Sequence, residues 1–156
     1  VKWLTYPTRQ ELPLLAEAAQ TSLKEIGIEV DINNTLDVNE VVQDASAWDV
    51  YAMANVQAPT GDPEYWFTVF ATSDATKNQG AYKNEKLDQL EEQLSQEFDP
   101  DKRAKLAVQM QQTVLDDNAF VYCSFLKMSQ ISRANVTGYM AHACDYYQVT
   151  ADLDIN

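Results

Sequence analysis

The groups able to do chemistry in this sequence are few and fall in two places. The chain holds a single histidine, His142, within Met140-Ala141-His142-Ala143-Cys144-Asp145-Tyr146-Tyr147. A neutral imidazole is a good ligand for nickel, copper or zinc. Small neighbours, Ala141 and Ala143, leave the ring unobstructed. One imidazole cannot by itself make a tight metal site, but it can complete the coordination of a metal already carried by a small chelator. Cys144 follows two positions later, so a thiol nucleophile with His142 as its base is the competing reading, with Cys123 as the other candidate thiol. Cys123 and Cys144 could also bridge in an oxidising compartment or stay free, and their spacing matches no zinc motif.

The second place is the loop Gln57-Ala58-Pro59-Thr60-Gly61-Asp62-Pro63 and the aromatic run behind it, Tyr65, Trp66, Phe67 and Phe70. Asp62-Pro63 reads as a helix N-cap and first helical position. A helix start there would offer backbone N–H groups to a carboxylate. Gln57, Ala58, Pro59, Thr60 and Tyr65 are the residues expected to line a ligand site. Structural roles compete for the same stretch, with Asp62 as a cap and the aromatics as core.

Other chemistry is missing from the pattern. No G-x-S-x-G elbow, P-loop or G-x-G-x-x-G occurs, and the four glycines, Gly27, Gly61, Gly80 and Gly138, stand alone. Asp152-Leu153-Asp154 lacks the remaining ligands of an EF-hand. No resident cofactor is expected.

The elements that must position these groups follow from periodicity. Val1–Tyr6 reads as a strand. Leu12, Leu15, Ala16, Ala19, Leu23 and Ile26 recur at helical spacing up to Gly27, a C-cap residue. Ile28, Val30 and Ile32 alternate with polar residues as a second strand. A short helix over Val38–Ala45 and a third strand over Trp48–Val56 complete a β-α-β-α-β start with parallel pairing. In an open sheet of that kind ligands sit beyond the C-terminal strand ends, where Gln57–Pro63 begins. Further on, Asn84 caps a helix carrying Leu87, Leu90 and Leu94. Asp99-Pro100 starts another with Leu106, Met110 and Val114 as its stripe. Ala119–Arg133 reads as extended, with Val121, Cys123 and Phe125 on one face. Asn135–Met140 is turn-rich, and Tyr146–Ile155 reads as a last strand. No internal repeat or domain boundary stands out.

Composition narrows the partners. The 156 residues carry 24 Asp and Glu against 11 Lys and Arg, a net charge of −13, which disfavours nucleic acid and anionic membrane surfaces. Apolar residues at 46% exclude a disordered acidic tail. There is no signal-peptide pattern and no apolar run of spanning length. A chain opening directly in a strand-like segment is expected to be a piece of a longer one.

Taken together, Tyr6-Pro7, Glu11-Leu12-Pro13, Leu23-Lys24-Glu25-Ile26-Gly27-Ile28-Glu29-Val30, Trp48-Asp49, Gly61-Asp62-Pro63, Tyr82-Lys83-Asn84, Leu87-Asp88 and Phe98-Asp99-Pro100-Asp101-Lys102-Arg103 resemble, in order and spacing, the C-terminal part of family 5 extracellular solute-binding proteins of ABC transporters, the peptide/nickel class. The resemblance implies an α/β fold in which the parallel β-α-β-α-β start joins a mixed sheet flanked by helices, one lobe of a two-lobed, type II periplasmic-binding-protein architecture. Residues 1–156 would be that single C-terminal lobe, with 145–156 as the strand returning toward the hinge. It implies capture of a solute outside the cytoplasmic membrane, in the periplasm or at the outer cell face, and delivery to an ABC permease. The second lobe and a lipoprotein or secretion signal would lie outside this sequence, and the piece itself is expected to be a monomer.

The resemblance also bears on the cargo. Peptide-binding relatives often place an Asp where this chain has Pro59, to hold the peptide amino group. One nickel-binding group carries a His where Ala75 stands. Another has a His shortly before Asp-Tyr-Tyr near the C-terminus, which His142 and Asp145-Tyr146-Tyr147 match, although Pro usually follows that His and Ala143 does here. The resemblance therefore implies nickel, as a small-chelator complex, held by His142. Oligopeptides or dipeptides are the alternative cargo, and a cysteine-dependent enzyme is the reading from another class.

Overall fold

β-Branched and aromatic residues at the N-terminus build the first strand, and the turn residues after it end that strand early. The computed structural model describes residues 1–127, 129–142 and 149–156. They divide into two compact units, 1–56 and 57–156.

In the first unit β1 (Lys2–Thr5) lies between β2 (Asp31–Asn34) and β3 (Val50–Tyr51), with both pairings parallel. Trp3 faces Ile32 on one side and Val50 on the other. Helix α1 (Glu11–Lys24) links β1 to β2 and buries Leu12 and Ala16. It ends as the glycine predicted. Gly27 takes φ +82°, the Ile28 N–H donates to the Leu23 carbonyl at 3.0 Å, and the Gly27 N–H donates to the Lys24 carbonyl at 3.0 Å. That two-bond closure is the one a left-handed residue permits. Helix α2 (Val38–Val41) packs Val38 with Val42 against Leu4, and Tyr6, Trp48 and Tyr51 close over them.

Two strands are shorter than their alternation predicts. β2 starts at Asp31 rather than Ile28, because Ile28 is spent on closing α1 and the Val30 carbonyl accepts from the Gln20 amide at 2.7 Å. β3 stops at Tyr51 rather than Val56. Its partner β1 turns away at Tyr6-Pro7, so backbone beyond Ala52 has no ladder to join. The Ala54 N–H donates instead to the Tyr6 hydroxyl at 3.2 Å.

The second unit is helical. Helix α3 (Glu64–Trp66) runs straight into a π-helical turn, Phe67–Ala71. Helices α4 (Glu85–Gln96) and α5 (Pro100–Asp116) pack on each other. Both have the caps their sequences promise. The Asn84 side chain accepts from the Leu87 N–H, and the Asp99 side chain from the Lys102 N–H, each at 3.0 Å. Phe67, Ala71, Leu87, Leu90, Leu94, Ala107, Met110 and Val114 form the core. Leu106, expected in the α5 stripe, is only half-buried against it. Asp117 accepts from the Tyr82 hydroxyl and the Asn84 amide, each at 2.7 Å. Those two bonds hold its carboxyl below the usual range, while burial first and Asp117 second push the Tyr82 phenol up to about 12.

The stretch Ala119–Arg133, read as extended, joins no sheet among its described residues. Val121 and Phe125 are 89% and 80% exposed. Alternating apolar residues make a strand only where another edge is present to pair with. The turn-rich stretch contains β4 (Val136–Thr137), paired antiparallel with β5 (Asp154–Ile155). β5 is what the described residues show of the last strand expected over Tyr146–Ile155; Tyr146 and Tyr147 lie outside them. Among the described residues no helix is long and apolar enough to cross a membrane.

Candidate functional site

The loop ahead of α3 is shaped by its own turn residues. Gly61 takes φ +82°, and its N–H donates to the Ala58 carbonyl at 3.0 Å. Asp62 then does two things at once. Its Oδ1 accepts from the Glu64 N–H at 2.9 Å, an Asx contact one residue ahead of the helix, since Pro63 rather than the expected Asp62 stands at the N-cap, and its Oδ2 faces Arg103. The backbone N–H groups expected for a carboxylate ligand are thus partly used internally, by Asp62 and by the Trp66 N–H donating to the Pro63 carbonyl.

Arg103, on the first turn of α5, was not singled out by the sequence. One guanidinium nitrogen donates to Asp62 at 2.8 Å and Glu64 at 2.6 Å. The other donates to the Leu94 and Glu97 carbonyls at the end of α4, both at 2.7 Å. Glu64 first and Asp62 second raise its pKa further above the ordinary arginine value. One planar cation thereby ties the loop to α3, the C-terminus of α4 and the start of α5. Asp62 and Arg103 are 41 positions apart, so no local spacing announces the pair. Arg103→Met keeps the stem and removes the fork. We expect a lower melting temperature by circular dichroism, because two carboxylates and two helix-end carbonyls lose their donor together. An unchanged melting temperature would mean that water replaces the guanidinium without cost.

Beside this network lies an open depression of about 420 Å³ lined by Thr60, Asp62, Glu64, Tyr65, Thr68 and Val69. Of the expected binding residues, Thr60 and Tyr65 meet there, whereas Gln57, Ala58, Pro59 and His142 do not line it. Across α4, burial first and the Glu64 charge next raise the Glu91 carboxyl pKa, and Thr68 donates to Glu91 at 3.4 Å. The aromatic run splits by role. Phe67 and Phe70 are buried in the core. Tyr65 is turned to the depression. Trp66 is half-buried against the core, edge-on to Phe67 at 5.2 Å and to Phe120 at 5.3 Å, with Tyr122 at 6.1 Å.

His142 is exposed and lies in the connection between β4 and β5. Among the described residues no group of three or more His, Cys, Asp and Glu side chains could hold a metal ion. Cys144, Asp145 and Ala143 lie outside the described residues, so the thiol–imidazole reading has no geometry here. Cys123 is an exposed free thiol.

No protein-family model matches the chain. It is 33% identical over 107 residues, 69% of its length, to the nickel-binding protein NikA of Staphylococcus aureus. The crystal structure of that NikA in complex with Ni(L-His)2 superposes on all of the chain with a TM-score of 0.83 at 26% identity. The chain is similar to ABC-transporter solute-binding proteins of the peptide and nickel class. A nickel ABC transporter protein from Bacillus halodurans matches 99% of the chain (TM-score 0.78, 28% identity), covering 33% of its own length. A putative peptide-binding protein, AppA from Clostridium difficile, matches 76% (TM-score 0.67, 26% identity), covering 25% of its own. The chain spans 34% of the NikA crystal chain and 22% of the curated NikA sequence. The fold is that of two-lobed binding proteins, and these relatives are binding proteins, not enzymes.

Proposed function

We propose that residues 1–156 are the C-terminal lobe of a longer, two-lobed protein that captures nickel as a small-chelator complex outside the cytoplasmic membrane and presents it to an ABC permease. The observation that carries this reading is His142. It is the single imidazole of the chain and is exposed, in a sequence similar to a protein that binds Ni(L-His)2. A ring nitrogen would take one nickel position and the chelator the others, which suits a cation that prefers nitrogen and oxygen donors in tetragonal or octahedral arrays. Gln57, Ala58, Pro59, Thr60 and Tyr65 would line the cleft wall, and the ligand would favour the closed form by touching both lobes. In this reading the parent protein carries its own secretion signal or lipid anchor.

The exposed apolar run supports the longer parent. Val121, Phe125 and Ile131 are 89%, 80% and 91% exposed, more apolar surface than an isolated segment normally leaves in water. Pairing with chain beyond this piece would cover it. Peptide cargo is the second reading, supported by the likeness to AppA, but Pro59 offers no carboxylate for a peptide amine.

Calorimetric titration tests the lobe assignment. The nickel bis-histidine complex should bind the two-lobed protein tightly and the 156-residue piece weakly, because the piece lacks half of the contacts. Submicromolar binding by the piece alone would overturn it.

A further inference from the structure

The four glycines have no shared motif, yet one of them sits where a backbone crosses it. Gly138 has φ +73°, and a β-carbon built on it would overlap the backbone carbonyl oxygen of Asp152. Only glycine fits such a place, since any L-residue meets both the left-handed penalty and the collision. This crossing continues a clamp. Val136 pairs with Ile155 and Thr137 with Asp154. The Asn156 N–H donates to the Asn135 carbonyl at 2.9 Å, and the Asn156 amide donates to the Thr137 hydroxyl at 3.0 Å. Both ends of the connection that carries His142 are therefore tied together at residues 135–138 and 152–156. None of these residues belongs to either buried core cluster.

We propose that Gly138 is a positioning residue for His142. By letting the chain cross Asp152 at contact distance, it sets where the His142 backbone leaves the β4–β5 base, and so where the imidazole meets the nickel complex. The inference rests on the reading of His142 as a nickel ligand. A ligand held from a fixed base loses less freedom on binding, and a misplacement of about 1 Å is enough to cost a coordination bond its strength.

The test uses the two-lobed protein, nickel bis-histidine as probe, and three substitutions, Gly138→Ala, Asn156→Ala and His142→Ala. Affinity is read by calorimetry, imidazole coordination by nickel absorption and X-ray absorption spectra, and folding by circular dichroism melting. Gly138→Ala is expected to weaken binding about 10–100-fold, the range seen for groups that orient a metal ligand. It should also reduce the imidazole contribution to the spectra, with the melting temperature kept. Asn156→Ala leaves the crossing in place and should weaken binding only a few-fold, which keeps the test readable if Gly138→Ala fails to fold. Unchanged affinity and spectra in Gly138→Ala, beside a strong loss in His142→Ala, overturn the positioning role alone. A lower melting temperature with unchanged coordination spectra overturns it too, as a purely structural effect. No loss of affinity in His142→Ala overturns the nickel reading itself and the inference with it. A few-fold loss in Asn156→Ala beside a weakened, spectrally altered Gly138→Ala supports it, and wild-type affinity in Asn156→Ala where Gly138→Ala fails to fold overturns it.

Discussion

Replacing His142 by alanine in the two-lobed protein should weaken binding of the nickel bis-histidine complex by about 100-fold or more. Groups that merely orient a metal ligand are worth about 10–100-fold, and loss of the ligand itself exceeds them. The chain offers no second imidazole to take its place, and among the described residues no cluster of other donors stands ready. His142 is exposed, so the truncation leaves no cavity and the fold should survive. The loss would be specific to the metal complex. Affinity equal to wild type would remove His142 from the site and leave the peptide reading in front. A parallel uptake assay separates binding from delivery, since a mutant that binds but does not deliver would point to the permease-facing surface instead.

The largest loss of stability is expected at Phe67. Its ring is 1% exposed and packs among Leu87, Leu90, Leu94, Met110 and Val114. Phe67→Ala should cost about 3–5 kcal/mol, the transfer free energy of the ring plus the cavity it leaves. The site resists collapse because Phe67 begins a π-helical turn whose neighbours Phe70 and Ala71 are also buried. Domains of this size have about 5–15 kcal/mol in total, so the substitution should take much of the stability of the second unit. Urea unfolding followed by circular dichroism measures it, with Leu115→Ala as the control. Leu115 is 52% exposed on α5, and its truncation should shift stability by no more than about 0.5 kcal/mol. Equal losses for the two would show that the Phe67 ring is not what holds the helices together.

Phe67 was visible as one of four aromatics in a short run, but the run did not say which ring is core and which faces a ligand. The helical turn they fold into decides that, since the offsets of three and four put Phe67, Phe70 and Ala71 on one inward face while Tyr65 stays at the depression. His142 was visible by scarcity alone. Its neighbour Gly138 was not, because a glycine's necessity shows only when another backbone is seen against it.

What the sequence determined by itself was local. Gly27 closing α1, Asn84 and Asp99 capping α4 and α5, and the parallel β-α-β-α-β start all stand where residue types placed them, because caps and periodicity depend on groups within one helical turn or a few residues of each other. The family resemblance was legible for the same reason, as an ordered series of such local signals. Tertiary structure alone decided where strands end, which carboxylates are paired and which glycine is irreplaceable. β3 stops for want of a partner, Arg103 reaches Asp62 across 41 positions, and Gly138 meets Asp152 at the base of the His142 connection. Each of these is a contact between segments far apart in sequence, and such a contact leaves no periodic trace along the chain that makes it.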